Sequence, residues 1–135
     1  LTLRVLHPNH NNHGDKNDNS LVIWVNYQSY NFLITGDISR SVEKKVIHQI
    51  PKGIKWDLIT SPHHGSKTSN SKVFYEYLKP KRVLISAGKN NRYGHPSPST
   101  LKNLTSLNIH YWETSNCGSL IYKMRDTMEV NTCMP

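Results

Sequence analysis

Three stretches of the 135-residue sequence bring chemically capable side chains to the end of an apolar run. The densest is Asp57-Leu58-Ile59-Thr60-Ser61-Pro62-His63-His64-Gly65-Ser66-Lys67-Thr68-Ser69, where a strand-like run delivers two adjacent imidazoles, a glycine, then hydroxyls and an ammonium. Neighbouring side chains at a strand end diverge, so one imidazole can face a metal ion while the other packs or hydrogen-bonds behind it. Gly65 lets backbone approach a ligand, and Ser66, Lys67 and Thr68 supply donors for a phosphate. A merely polar turn would not call for His-His-Gly after proline.

A second stretch, Leu33-Ile34-Thr35-Gly36-Asp37, presents a single carboxylate after a glycine turn. Its plain alternative is an N-cap for the next helix. The third, Ser86-Ala87-Gly88-Lys89-Asn90-Asn91-Arg92-Tyr93-Gly94-His95-Pro96, is a loop rich in basic and aromatic groups. His95 and Arg92 could orient or protonate an oxyanion, Lys89 adds a cation, and Tyr93 could stack on a base or a sugar. A glycine-rich connection leading into a helix is the structural alternative.

The elements that must position these stretches are legible from periodicity. Strand-type blocks fall at 2–6, 20–26, 32–35, 57–61, 82–86, 109–112, 119–124 and 128–130. Helices are predicted at 41–50, with Val42, Val46, Ile47 and Ile50 on one stripe, and at 71–78, closed by Pro80. A third starts from Ser97 as N-cap and Pro98 at the first position, presenting Leu101, Leu104 and Leu107. From Asp37 onward helix and strand alternate, with an antiparallel pair before them and a hairpin after, which reads as a layered α/β domain.

Length limits the chain to one core, and 17 Lys and Arg against 9 Asp and Glu leave it at +8. That balance fits a polyanionic partner and is also common without one. No run approaches the roughly 18 apolar residues of a membrane span, and no leader opens the chain, which begins on apolar text as a piece of a longer protein would. A single alanine, Ala87, argues against long helices. Segment 7–19 is expected to be a solvated loop, so its histidines, His7, His10 and His13, are not read as a metal tract. Cys117 and Cys133 lack zinc-ribbon spacing and are either free thiols or one terminal bridge.

The ordered series Asn19-Ser20-Leu21-Val22, Leu33-Ile34-Thr35-Gly36-Asp37, Pro62-His63-His64-Gly65-Ser66-Lys67-Thr68-Ser69, Ser86-Ala87-Gly88 with Asn91, Tyr93-Gly94-His95-Pro96, Glu113-Thr114 and Gly118-Ser119-Leu120-Ile121 resembles the second half of the metallo-β-lactamase-like domain of the ComEC/Rec2 competence family. The resemblance covers nearly the whole chain. It implies a partial domain over 1–135: the C-terminal half of an αββα fold, one mixed sheet with helices packed on one side. It also implies a membrane channel taking up single-stranded DNA, this part being a soluble domain on the periplasmic or extracellular side.

Carried over residue by residue, Asp37 matches the carboxylate that bridges two metal ions, one of His63 and His64 matches a later ligand, with His64 preferred, and Lys67 and His95 match positions lining the site. The family's first metal motif is absent, and none of His7, His10 and His13 has the spacing to replace it. In a complete domain, zinc or manganese would activate a water and neutralise charge on a phosphoryl transition state. Lys67 and Arg92 would hold phosphate oxygens, and His95 would be the acid for the leaving oxygen. Because two ligands do not retain a catalytic zinc, the isolated chain is expected to be inactive and to hold no metal. Its partners are then single-stranded DNA, the missing half of the domain and the channel. The sheet face left without a partner, read as Leu21, Ile23, Leu33 and Ile59, favours self-association. The other readings are a non-catalytic DNA-binding or gating module, and a hydrolase of small phosphodiesters or phosphocholine unconnected with competence.

Overall fold

A computed structural model describes residues 1–8, 15–124 and 128–134, with side chains described for 1–8 and 15–123. Its elements are β1 (Thr2–His7), β2 (Val22–Tyr27), β3 (Tyr30–Ile34), α1 (Arg40–Gln49), β4 (Leu58–Thr60), α2 (Lys72–Leu78), β5 (Arg82–Ile85), α3 (Pro98–Ser106), β6 (His110–Glu113), α4 (Thr114–Cys117), β7 (Ser119–Met124) and β8 (Met128–Met134). The first six strands form one mixed sheet in the order β1-β2-β3-β4-β5-β6, and β7 and β8 pair separately. Pairing is antiparallel from β1 to β3 and parallel from β3 to β6.

The strand order beyond β3 never reverses. Right-handed crossovers from each parallel strand to the next therefore put α1, α2 and α3 on the same face of the sheet. There the core closes: Leu33, Ile59, Val83 and Ile85 from the strands meet Val42, Val46, Phe74, Leu78 and Leu104 from the helices, all buried. Helices α2 and α3 begin on local signals. In α2 the Ser71 hydroxyl accepts from Phe74 N–H, and the chain leaves through a left-handed Lys79 into Pro80. In α3 Ser97 accepts from Thr100 N–H, with Pro98 at the first position.

The parity of β3 and β4 overturns half of the expected open face. Leu33 and Ile59 are fully buried beneath the helices. The other side carries Leu3, Val5 and Ile34, which are 62%, 58% and 40% exposed. Register joins them: Leu3 lies opposite Val25, Val5 opposite Ile23, and Ile23 opposite Ile34. Successive strand residues point to opposite faces, so Leu33 and Ile59 were assigned to the wrong one, whereas Ile23 does lie on the open side and Leu21, just before β2, is 50% exposed. On this face β7 covers the β3–β6 half, where Tyr122 makes edge contacts with Phe32 at 6.4 Å and Trp112 at 5.9 Å.

Nor is 7–19 wholly a solvated loop. His7 ends β1, is 1% exposed, and its Nε2 lies 2.6 Å from the Asp18 carbonyl oxygen; His10 and His13 lie outside the described residues. Asp18 then accepts from Ser39 N–H at 3.0 Å and from the Ser41 hydroxyl at 3.4 Å, capping α1 from outside. Burial raises this carboxyl, but the hydrogen bonds from Ser39 and Ser41 and the charge of Lys45 outweigh it, and its pKa falls below the ordinary value. Cys117 is a half-buried free thiol, and the side chain of Cys133 lies outside those described.

Glu43 was not anticipated as a structural residue. It is fully buried on α1, and its two carboxylate oxygens accept from the backbone N–H groups of Asn70 and Ser71 at the start of α2. Burial pushes its carboxyl above the usual 4.5, the hydrogen bonds from Ser71 and Asn70 offsetting this only in part. A raised folded-state value means that the folded form binds the proton more tightly than the unfolded one. The contribution is therefore complete below the unfolded value and is lost as pH rises through the folded one. We expect the stability of the wild type relative to non-titrating Glu43→Gln to fall as pH rises above the ordinary carboxyl value of 4.5, read from urea midpoints. A relative stability that grows over that rise would contradict the assignment.

Candidate functional site

The site assembles at the C-terminal edge of the parallel strands, where α/β sheets present their loops. The ends of β3 and β4 are locked first: Thr35 N–H donates to Thr60 Oγ1 and the Thr35 hydroxyl to the Thr60 carbonyl, both at 2.9 Å. The chain then turns through Gly36 into Asp37, and His63 N–H donates to the Gly36 carbonyl at 3.0 Å. The aspartate turn and the histidine loop are thus held together by backbone.

His63 and His64 both have left-handed backbone, with φ of 49° and 55°. Such conformations cost on the order of 1–3 kcal/mol each and persist only when their surroundings impose them. Asn70 is the imposing group. Its side-chain N–H groups donate to the carbonyls of Pro62 at 2.9 Å and Ser66 at 3.1 Å, bracketing the two histidines. Its Oδ1 accepts from the hydroxyls of Ser61 at 2.6 Å and Tyr75 at 2.7 Å. Burial pushes the Tyr75 phenol well above its ordinary pKa, so it remains a donor.

His64 is the imidazole that faces Asp37. Its Nδ1 lies 2.7 Å from the Ser86 carbonyl. A carbonyl only accepts, so Nδ1 carries the hydrogen and in the neutral ring Nε2 presents a lone pair. Nε2 lies 3.5 Å from Asp37 Oδ1. Two acceptors facing each other at that separation call for a cation between them, either a proton on the imidazole or a metal ion. Two ligand atoms about 2.0–2.1 Å from one tetrahedral ion sit about 3.3–3.4 Å apart, so the spacing suits a shared metal. The pair is nevertheless incomplete: among the described residues no three His, Cys, Asp or Glu side chains form a metal-holding group.

His95 is held in the opposite wall by Asn91, whose Oδ1 accepts from His95 N–H at 2.9 Å and whose amide donates to the His95 and Gly88 carbonyls. Its ring lies 5.7 Å from that of His63 and stacks at 5.8 Å on Tyr93. Its Nδ1 is buried without a partner. Burial first, then His63 and His64, lower its pKa against the opposing charge of Asp37. At neutral pH the ring is therefore uncharged, a form better suited to accepting or ligating than to the leaving-group acid role read from the sequence.

The remaining predicted residues divide. Tyr93, His95 and His64 line one cleft of about 440 Å³ with Ala87, Gly88 and Thr114. Arg92 lays its guanidinium over the Tyr93 ring at 4.7 Å. Lys89 is exposed on the same loop. Ser66 is turned inward: it is 4% exposed and its hydroxyl lies 3.0 Å from that of Thr68. The carbonyls of Lys67 and Thr68 accept from Arg40 at 2.7 and 3.2 Å, so this turn docks on the start of α1, with the Lys67 side chain exposed. Sequence reasoning missed Asn70, and it quoted Ser86, Asn91 and Thr114 without assigning them their scaffold roles. The sequence signal for Asn70 was an asparagine, a residue that tolerates positive φ, placed directly before the serine cap of α2.

The chain is 35% identical over its full 135 residues to ComE operon protein 3 of Bacillus subtilis, 28% identical over 115 residues to Competence protein ComA of Neisseria gonorrhoeae, and 30% identical over 115 residues to Recombination protein 2 of Haemophilus influenzae. These alignments cover 100%, 85% and 84% of this chain but only 17%, 17% and 14% of the relatives. No protein-family model matches the chain.

Proposed function

The chain belongs to the ComEC/Rec2 competence family, and on that premise we propose that it is the C-terminal half of a metal-dependent phosphodiesterase domain acting on single-stranded DNA during uptake. The observation that carries this reading is the His64–Asp37 pair, in which a carbonyl sets the tautomer so that a bare Nε2 meets a carboxylate at 3.5 Å. Asp37 and His64 would hold zinc or manganese, with His63 or His95 as the nearest further nitrogens and the remaining ligands supplied by the other half of the domain. The bound metal would supply Lewis-acid activation of water and charge neutralisation at the phosphorus. Around it, Lys67, Lys89 and Arg92 carry exposed cations toward phosphate oxygens, and neutral His95 accepts or orients a proton. With one ligand pair, this chain alone neither retains the metal nor cleaves.

The open apolar face of β1–β3 supports the αββα reading: a second sheet from the parent protein would cover Leu3, Val5 and Ile34, and without it the chain self-associates. Among the described residues no helix is long and apolar enough to cross a membrane. In this proposal the channel lies elsewhere in the parent and the domain sits on its outer side. The competing reading is a DNA-binding or gating module without chemistry, which needs no three-ligand group, and none is formed among the described residues.

The test is cleavage of labelled single-stranded DNA by the domain with its N-terminal half restored, in manganese or zinc. Asp37→Ala and His64→Ala should each lower the rate by at least about 100-fold. Cleavage no faster than in these variants rejects the hydrolase, and salt-sensitive binding that ignores both metal and His64→Ala supports the module.

A further inference from the structure

Resting on the nucleic-acid reading above, we infer that the cleft beside His64 is a nucleobase subsite that grips the ring of an unpaired base by stacking and is unable to read its edge. The inference starts from how the polar groups of the cleft are spent. Thr114 Oγ1 accepts from Ala87 N–H and donates to the Ala87 carbonyl, both at 3.0 Å. Asn91 commits both ends of its amide to Gly88 and His95. The orphan Nδ1 of His95 is buried, out of reach of a ligand. His64 directs Nδ1 to Ser86 and Nε2 toward Asp37. The groups left open are the hydroxyls of Ser86 and Tyr93, the latter already accepting from Arg92, and Nε2 of His95; a hydroxyl both donates and accepts, and a neutral imidazole nitrogen does either according to its tautomer, so none of them fixes one base edge over another.

What the cleft offers instead is surface. Tyr93 is 65% exposed even with Arg92 over its ring and His95 stacked beside it. Every base has a π-face, so a ring held between this aromatic wall and the small Ala87–Gly88 floor is bound with little regard to sequence. Arg92 beside the ring and Lys89 on the same loop place positive charge where the adjoining phosphates run. A base within a duplex has no free face, which makes single strands and frayed ends the ligands that fit.

The experiment measures binding of fluorescent dT, dC and dA homopolymers and of a blunt hairpin duplex to this chain in EDTA, so that no metal chemistry enters. Stacking on one base gives a loss of about 5- to 100-fold for Tyr93→Ala, similar for all three homopolymers, and near-wild-type binding for Tyr93→Trp. Tyr93 is exposed, so a circular-dichroism melt should show the alanine variant folded. Three results overturn the inference: no loss in Tyr93→Ala, a loss confined to one base, or duplex bound as tightly as single strands. If instead Tyr93 behaves as described and the restored domain never cleaves, the subsite stands and the hydrolase reading falls. If Tyr93 is silent while Asp37-dependent cleavage persists, the reverse holds.

Discussion

Asn70→Ala is expected to remove about 3–5 kcal/mol of stability, enough to leave a domain of this size largely unfolded near body temperature. The substitution strands the hydroxyls of Ser61 and Tyr75 and the carbonyl of Pro62, and leaves the Ser66 carbonyl only a long bond from the Thr100 hydroxyl at 3.4 Å. Each buried polar group left without a partner costs about 1–3 kcal/mol, and solvent entering the gap recovers part of the sum. Asn70 also sits at φ 61°, which alanine adopts poorly. Asn70→Gly removes the same hydrogen bonds without that strain, so it should lie about 1 kcal/mol above the alanine variant. Urea midpoints for the two variants separate the contributions, and an alanine variant within about 1 kcal/mol of wild type would refute the hub role.

Gly65→Ala is expected to act on both stability and site. A Cβ at position 65 would lie 2.7 Å from Pro96 Cβ and 3.0 Å from Pro96 Cα, at a φ of +83°. The Gly65 carbonyl accepts from Ser97 N–H and the Thr100 hydroxyl, both at 2.9 Å, so the backbone cannot yield without loosening the start of α3. We expect a loss of about 2–4 kcal/mol together with displacement of His64 from Asp37. Gly53 is the control: at φ +88° an added Cβ meets nothing within 4 Å. Gly53→Ala should therefore show backbone strain alone, about 1 kcal/mol. Equal melting shifts for the two variants would mean that contact with Pro96 is irrelevant.

The helices were readable because their signals are local. Ser71 and Pro80, or Ser97 and Pro98, act within a turn of themselves, and the apolar stripe of α1 needs only its own periodicity. The open face of the sheet was not, because Leu33 and Ile34 are equally apolar and only the helix layer decides which of them is covered. Asn70 and Glu43 escaped for a related reason: the partners of the Asn70 side chain run from Ser61 to Tyr75 and those of Glu43 are Asn70 and Ser71, contacts invisible along the chain.

The site divides along the same line. Residue order alone determined that a carboxylate, two imidazoles and a basic aromatic loop would stand at strand ends, since apolar runs broken by glycine or proline leave little choice. Which imidazole meets Asp37, and with which nitrogen, was decided by the Ser86 carbonyl across the sheet edge. A tautomer is selected by the acceptor that reaches it, and that acceptor arrives only when β5 has packed beside β4.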